Sequence, residues 1–521
     1  MTTTSPDRVL PDHADVLIVG AGISGIGMAY HLTQQPGRTF AMVDARDSIG
    51  GTWDFFKYPG LRSDSDLHTF MFSFKPWTSK NAIADAPEIM MYLNETVDEL
   101  GLRKHLYLGQ RVNSADFNSE EGRWHVELEH NGTTRTVTCQ IFFSAAGYYS
   151  YDGGYTPEFP GIESFAGQVV HPQGWPEDLD YVGKRVVVIG SGATAVTIVP
   201  AMAENAGHVT MLQRSPSYVL SLPRQDPIAN GLRAVLPERL AYRLTRRFNT
   251  FKGQAIYYSA QRWPNAVRKL IRKLTANALP EGYPVDTHFN PTYNPWDERL
   301  CLIPDGDFFG AISSGRASIV TDRIASFDET GILLESGDHL DADIVVTATG
   351  LNTQAFGGIE YSIDGEPIDI SQTVAYKSMM LSGVPNFAFT IGYTNLTWTL
   401  KVDPVGEHLC RLLDHMDRTG NTVMTPMIDP EAEVESLFDM QSGYLQRAAA
   451  TFPRRGREGS WTMDQDFSVD KARLSDGPIE DPDLHFSAPA PTAAQTRQKQ
   501  SAKPQKAVNL TVAIEEDVVS A

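Results

Sequence analysis

Cysteine is scarce in this chain, with three in 521 residues. Cys139, Cys301 and Cys410 lie far apart and none stands in a CxxC pair, which argues against a disulfide scaffold, a cysteine zinc site and the dithiol of a disulfide reductase. Buried, unreactive thiols are the expectation. Positive charge is also short: 44 Lys and Arg against 64 Asp and Glu leave a formal charge of -20. That is the wrong sign for tracking nucleic-acid phosphates or an anionic lipid surface. No apolar run approaches the roughly 18 to 20 residues needed to span a bilayer. The N-terminus, MTTTSPDRVLPDHAD, lacks a basic end followed by an apolar stretch. A cytoplasmic protein with no integral membrane segment, no nucleic-acid partner and no metal site is expected, and nothing in the sequence reports its oligomeric state.

With 41% hydrophobic and 21% charged residues, the chain has material for two or three domains with cores of their own. After a polar start of about twelve residues, Val16 to Val19 reads as a buried parallel strand, Ile23 to Leu32 as a helix and Phe40 to Val43 as a second strand. The same order returns downstream: Arg185 to Ile189 as strand, GSGATA as turn, Val196 to Ala203 as helix, His208 to Leu212 as strand. The fold class implied is α/β, with two Rossmann-like dinucleotide-binding domains. IFFSAAGYYS, ending beyond Gly147, and ADIVVTATGL, Ala342 to Leu351, share one shape and mark crossings between the domains. The expected boundaries are 1–150 and 336–486 for the first, discontinuous domain, and 151–335 for the second, with a helical insertion over about 226–290. From 487 to 521, Ala, Pro, Gln, Lys and Ser dominate, and a disordered tail is expected.

GAGISG, Gly20 to Gly25, stands between a strand and a helix, where a pyrophosphate can rest on the helix N-terminus. Gly20 permits the tight turn, Gly22 the close approach of backbone to phosphate, and Gly25 the packing of helix on strand. Asp44, at the end of the next strand, can accept both ribose hydroxyls and would repel a 2′-phosphate. FAD or NAD is therefore expected there. The second turn, Gly190, Ser191, Gly192, Ala193, Thr194 and Ala195, leads to a strand ending in Gln213, Arg214 and Ser215. With no acid and a guanidinium at that place, NADPH is expected. Two such sites in one chain point to hydride transfer from NADPH to a flavin.

FAGQVVHPQGWP, Phe165 to Pro176, meets the FxGxxxHxxxWP fingerprint without a mismatch. The signature [AG]GxWxxxx[FY]P[GM]xxxD is met by Gly50, Gly51, Trp53, Tyr58, Pro59, Gly60 and Asp64. On these motifs the chain resembles the type I Baeyer-Villiger flavin monooxygenases. The resemblance implies FAD, NADPH and dioxygen as reactants, ketones converted to esters through a flavin peroxide, and sulfides or thioamides oxygenated at sulfur. By the same resemblance Arg299, in WDERLCL, holds negative charge beside the flavin, Asp64 positions it, and His171 is a hinge residue. Ser24, Thr52, Trp53, Phe55 and Val112 are implied for FAD, and Arg62, Ser63, Thr194 and Gln213 for NADPH. Many relatives carry a lysine before the catalytic arginine; here Glu298 stands there, leaving NADPH preference to Arg214. Trp398 and Trp461 are candidates for the substrate wall or for core anchors. The alternatives are a flavin monooxygenase confined to nitrogen and sulfur, and a flavoprotein reductase serving a protein partner.

Overall fold

The computed structural model describes residues 8–298, 300–438, 443, 447 and 449–488. Arg299 and all but the first two residues of the expected tail lie outside the described residues. Of those two, Ser487 is not tail: it ends the strand Leu484–Ser487, which pairs with Val423–Pro426.

Strand β1 (His13–Val19) runs into helix α1 (Ile23–Thr33) and strand β2 (Phe40–Val43), and β1 pairs in parallel with both β2 and β3 (Thr133–Ser144). β1 is buried on both faces from Val16 to Val19, which is why its sequence is apolar without alternation. These strands belong to a nine-stranded sheet that also takes in Glu360–Ile363 and Phe387–Phe389 from far downstream. After β3 the chain crosses over as β4 (Tyr149–Gly154).

A second, five-stranded sheet is parallel throughout. It is built from β5 (Gln168–Val170), β6 (Arg185–Ile189), β7 (His208–Gln213), β8 (Ala317–Thr321) and β9 (Ile344–Thr347), in the order β8-β7-β6-β9-β5. Helix α2 (Ala193–Met202) follows β6. It begins at Ala193, three residues before the expected Val196: Gly192 is its N-cap, so ATA forms the first helical turn rather than loop. Between Tyr218–Leu222 and Leu300–Pro304, two strands that pair in parallel, stand helices α3 (Pro227–Val235), α4 (Glu238–Arg262) and α5 (Pro264–Ala278). The chain returns as β10 (Leu351–Thr353), antiparallel to β4, so the two crossings lie side by side. Helix α6 (Thr399–Thr419) then packs on α1, with Gly27 against Val402 and Gly406 against His31. All three cysteines are buried, and no disulfide joins them. Among the described residues, no helix is long and apolar enough to cross a membrane.

Candidate functional site

The two glycine turns are built alike. Gly20 has φ +113° and a Cβ there would stand 2.3 Å from the Ala145 carbonyl oxygen; Gly190 has φ +132° and a Cβ there would stand 2.3 Å from the Ala348 carbonyl oxygen. Those alanines directly follow the returning strands β3 and β9, which explains why SAAG and TATG share a shape: each puts a backbone carbonyl under the first glycine of its turn. Gly22 and Gly192 are the N-caps of α1 and α2, with no side-chain cap and no acid in either first turn. Backbone N–H groups at both helix starts are thus left to an anion. Gly25 plays its packing part, since a Cβ would sit 1.9 Å from the Gly20 carbonyl oxygen.

Around the first turn lies a cleft of about 460 Å³, whose walls include Gly20, Gly22, Ser24, Asp44, Gly51, Thr52, Trp53, Asp64, Gln110, Val112 and Trp398. The Asp44 carboxylate accepts from the Ala21 N–H at 2.7 Å and the Arg46 N–H at 2.9 Å. Burial pushes its carboxyl above the usual carboxylate range, against the pull of those two bonds and the Arg46 guanidinium. Beside it, the Gln110 side-chain oxygen is buried without a hydrogen-bond partner. A buried acceptor pair of this kind suits hydroxyl and amine donors of a nucleoside, so the residues present fit an adenine dinucleotide. Sequence reasoning missed Gln110, whose only signal is its place two residues before Val112.

Other expected residues are reached less directly. Phe55 stacks on Tyr151, centroids 3.9 Å apart, and the Arg46 guanidinium lies 5.2 Å from its ring centre; it buttresses the cleft from behind. The Ser24 hydroxyl accepts from the Trp398 indole N–H at 2.7 Å, which fixes Trp398 at the wall of this dinucleotide cleft. Trp461, the other tryptophan proposed, belongs to the core, edge-on to Tyr376 and donating to Asp483. Ser63 is buried and its hydroxyl accepts from the Ala84 N–H. Arg62 forks onto Asp307, joining the loop before Asp64 to the helix Asp307–Ser313. The same loop touches α2: Tyr58 hydrogen-bonds Thr194, and a Cβ on Gly60 would stand 2.9 Å from the Thr197 carbonyl. The second signature is thus also a seam between the two glycine-turn units.

At the second turn, the Ser191 hydroxyl meets the Ser217 hydroxyl at 2.8 Å and the Ser215 carbonyl at 3.3 Å. Gln213 is buried, its amide donating to the His288 carbonyl and the Thr321 hydroxyl, so it shapes the strand end from within. Arg214 is exposed. It attracts Glu298, whose carboxyl burial holds above its ordinary range. Glu298 therefore lies within electrostatic reach of the arginine expected to take a 2′-phosphate.

His171 sits at the crossing. Its Nε2 donates to the Gly350 carbonyl at 3.1 Å, its Nδ1 accepts from the Gln173 N–H at 3.1 Å, and burial holds the ring below its usual pKa, in the neutral form. A Cβ on Gly154 would stand 1.8 Å from the ring, so only glycine lets the imidazole wedge between β4 and the start of β10. One side chain touches both connections.

With that geometry in hand, the comparisons decide the family. The pattern described as "Flavin-binding monooxygenase-like" matches residues 13–384. The chain belongs to this family. It is 49% identical to the FAD-containing monooxygenase EthA of Mycobacterium tuberculosis strain H37Rv, over 92% of this chain and 99% of that one. It is 48% identical to the probable FAD-binding monooxygenase AlmA of Acinetobacter baylyi, over 91% and 96%. Among solved structures, an oxidized steroid monooxygenase bound to NADP superposes with a TM-score of 0.72 at 23% identity, covering 91% of this chain and all of that one. An ε-caprolactone-bound cyclohexanone monooxygenase gives 0.69 at 22%, with 91% and 100% covered. These two show the shared fold. The flavin monooxygenase class expected from the two turns and two motifs is therefore correct.

Proposed function

We propose that this flavin monooxygenase is of the Baeyer-Villiger type, consuming FAD-bound electrons from NADPH and dioxygen to convert ketones to esters, and oxygenating sulfides or thioamides at sulfur. The observation that carries it is His171, fixed between the two connections within a fingerprint that is complete to Trp175 and Pro176. The similarity to EthA and the shared fold with cyclohexanone monooxygenase support the same reading.

On this reading residues 1–150 and 336–486 form the FAD domain and 151–335 the NADPH domain, with a helical insertion at about 226–290. FAD, when bound, supplies the hydride acceptor and the centre that meets dioxygen. The chain's own residues do the rest. Gly20, Gly22 and the start of α1 hold the pyrophosphate, and Asp44 takes the ribose. Gly51, Thr52 and Trp53 bound the ring end of the cleft. Gly190 to Ala195 and Arg214 hold NADPH. Arg299 stabilises the negative charge that develops on oxygen when a carbonyl is attacked, Asp64 positions that guanidinium, and His171 couples movement of one domain to the other.

Incubation of the purified, flavin-loaded protein with NADPH and a panel of ketones and thioethers, with products identified by mass, tests this. Esters are expected. S-oxides alone would assign it to the nitrogen- and sulfur-oxygenating enzymes, and NADPH consumption without oxygenated product would make it a reductase. Gly154→Ala is expected to leave flavin content unchanged and slow flavin bleaching by NADPH about tenfold to a hundredfold, because the displaced imidazole misplaces one domain against the other. Stopped-flow absorbance at the flavin band reads this; an unchanged rate would remove His171 from the hinge.

A further inference from the structure

Between residues 227 and 278 the chain carries eleven Lys and Arg against a single acid, Glu238, inside a protein whose formal charge is -20. The whole-chain sum that argued against an anionic surface hides this local reversal. Among the described residues only two of the eleven, Arg246 and Arg272, make ion pairs; Arg233 and Arg268 hydrogen-bond to neutral groups, which leaves Arg239, Arg243, Arg247, Lys252, Arg262, Lys269 and Lys273 as cations with neither. The same helices expose apolar side chains to an unusual degree: Val235 is 76% exposed, Phe251 68% and Trp263 59%.

The exposure is patterned. On α4, Leu240, Leu244, Phe248, Phe251 and Tyr258 recur at spacings of three, four and seven and so share one face. Ala241, Tyr242, Thr245 and Asn249 point the other way and are buried. Arg239, Arg243 and Arg247 flank the apolar stripe on one side and Lys252 on the other. On α5, Leu270 and Leu274 form a second exposed stripe beside Lys269 and Lys273, with Trp263 exposed at the junction just before that helix, and on α3 Ile228 and Val235 form a third. α3 and α5 both pack against α4. A helix whose outward face is apolar has no reason to be so in water alone.

We propose that α3–α5 form a docking face for an anionic lipid bilayer. Aromatic and aliphatic side chains would enter the boundary between headgroups and chains, while the flanking guanidinium and ammonium groups reach anionic headgroups along their apolar stems. Charge complementarity favours this occupant, and interleaved Phe, Trp, Arg and Lys are the composition such a surface needs. The face adjoins the cleft: α4 packs through Gly253 on Leu396, two residues before Trp398 in the cleft wall. Docking of this kind would present the cleft to apolar molecules dissolved in the bilayer, and it stands whatever oxygenation the cleft performs.

Co-sedimentation of the flavin-loaded full chain with vesicles tests it. Vesicles of equal parts phosphatidylcholine and phosphatidylglycerol should pull the protein down, and phosphatidylcholine alone should not; raised salt should release it. F251S/W263S should lower binding at least tenfold, and R243Q/R247Q by about fivefold for each charge removed. Both variants should keep the thermal transition and NADPH oxidation, because all four positions face solvent. Equal binding by the parent and F251S/W263S, or no binding by the parent, overturns the proposal. A dimer in light scattering that F251S/W263S dissociates, without vesicle binding, would assign the face to a second copy and overturn it equally.

Discussion

Arg299→Ala is expected to lower the yield of oxygenated product by about a hundredfold to a thousandfold while NADPH oxidation continues. A fixed cation does most for a reaction where charge appears on an oxygen and water is kept out, because the charge then has no other partner. Removing it leaves flavin binding and hydride transfer untouched, since the proposed contacts for both lie at the two glycine turns. Electrons should therefore still leave NADPH and end as hydrogen peroxide. Product formed per NADPH consumed is the measurement. Arg299→Lys should recover part of the yield, because it keeps the charge and loses the planar fork. A ratio unchanged in the alanine variant would refute the assignment.

Gly20→Ala is expected to yield protein almost free of flavin. The position combines φ +113° with a Cβ only 2.3 Å from a backbone carbonyl that no rotamer change can move. Backbone strain of this kind costs roughly 1 to 3 kcal/mol before the collision is counted, and relief requires parting the turn from the end of β3. The ratio of flavin to protein absorbance should fall about tenfold or more, and the thermal transition should drop by several degrees. Gly192→Ala is the contrast. A Cβ there meets nothing within 4 Å, so flavin content and melting should stay as they are while NADPH binding weakens. Equal flavin content in Gly20→Ala and the parent would mean that the first turn is not the flavin's seat.

Local grammar was legible in the sequence where a strand is buried on both faces. Phe40–Val43 and Arg185–Ile189 stand where the apolar runs put them. The helix after the second turn was misplaced by three residues because alanine and threonine signal loop and helix alike, and only the backbone at Gly192 shows which applies. The candidate site was legible as motifs and illegible as contacts. Asp44 could be placed by its distance along the chain from Gly20, since both belong to one βαβ unit. Nothing local could separate Trp398 from Trp461: the first is held to the cleft by Ser24, the second to the core by Tyr376 and Asp483, and each partner is set by tertiary packing. Arg62 shows the same limit. The resemblance implies it for NADPH, and nothing near it in sequence announces that its guanidinium also forks onto Asp307, far along the chain.

The nine-stranded sheet has a consequence for biosynthesis. Phe142 pairs with Phe387, whereas every strand of the five-stranded sheet lies between Gln168 and Thr347. A ribosome therefore emits the whole of the later-starting sheet before it releases the last piece of the one begun first, and completion reverses the order of translation. Until residue 389 emerges, the Phe142–Ser144 end of β3 presents an open edge, and a nascent chain stalled in that interval would offer it to any other strand within reach.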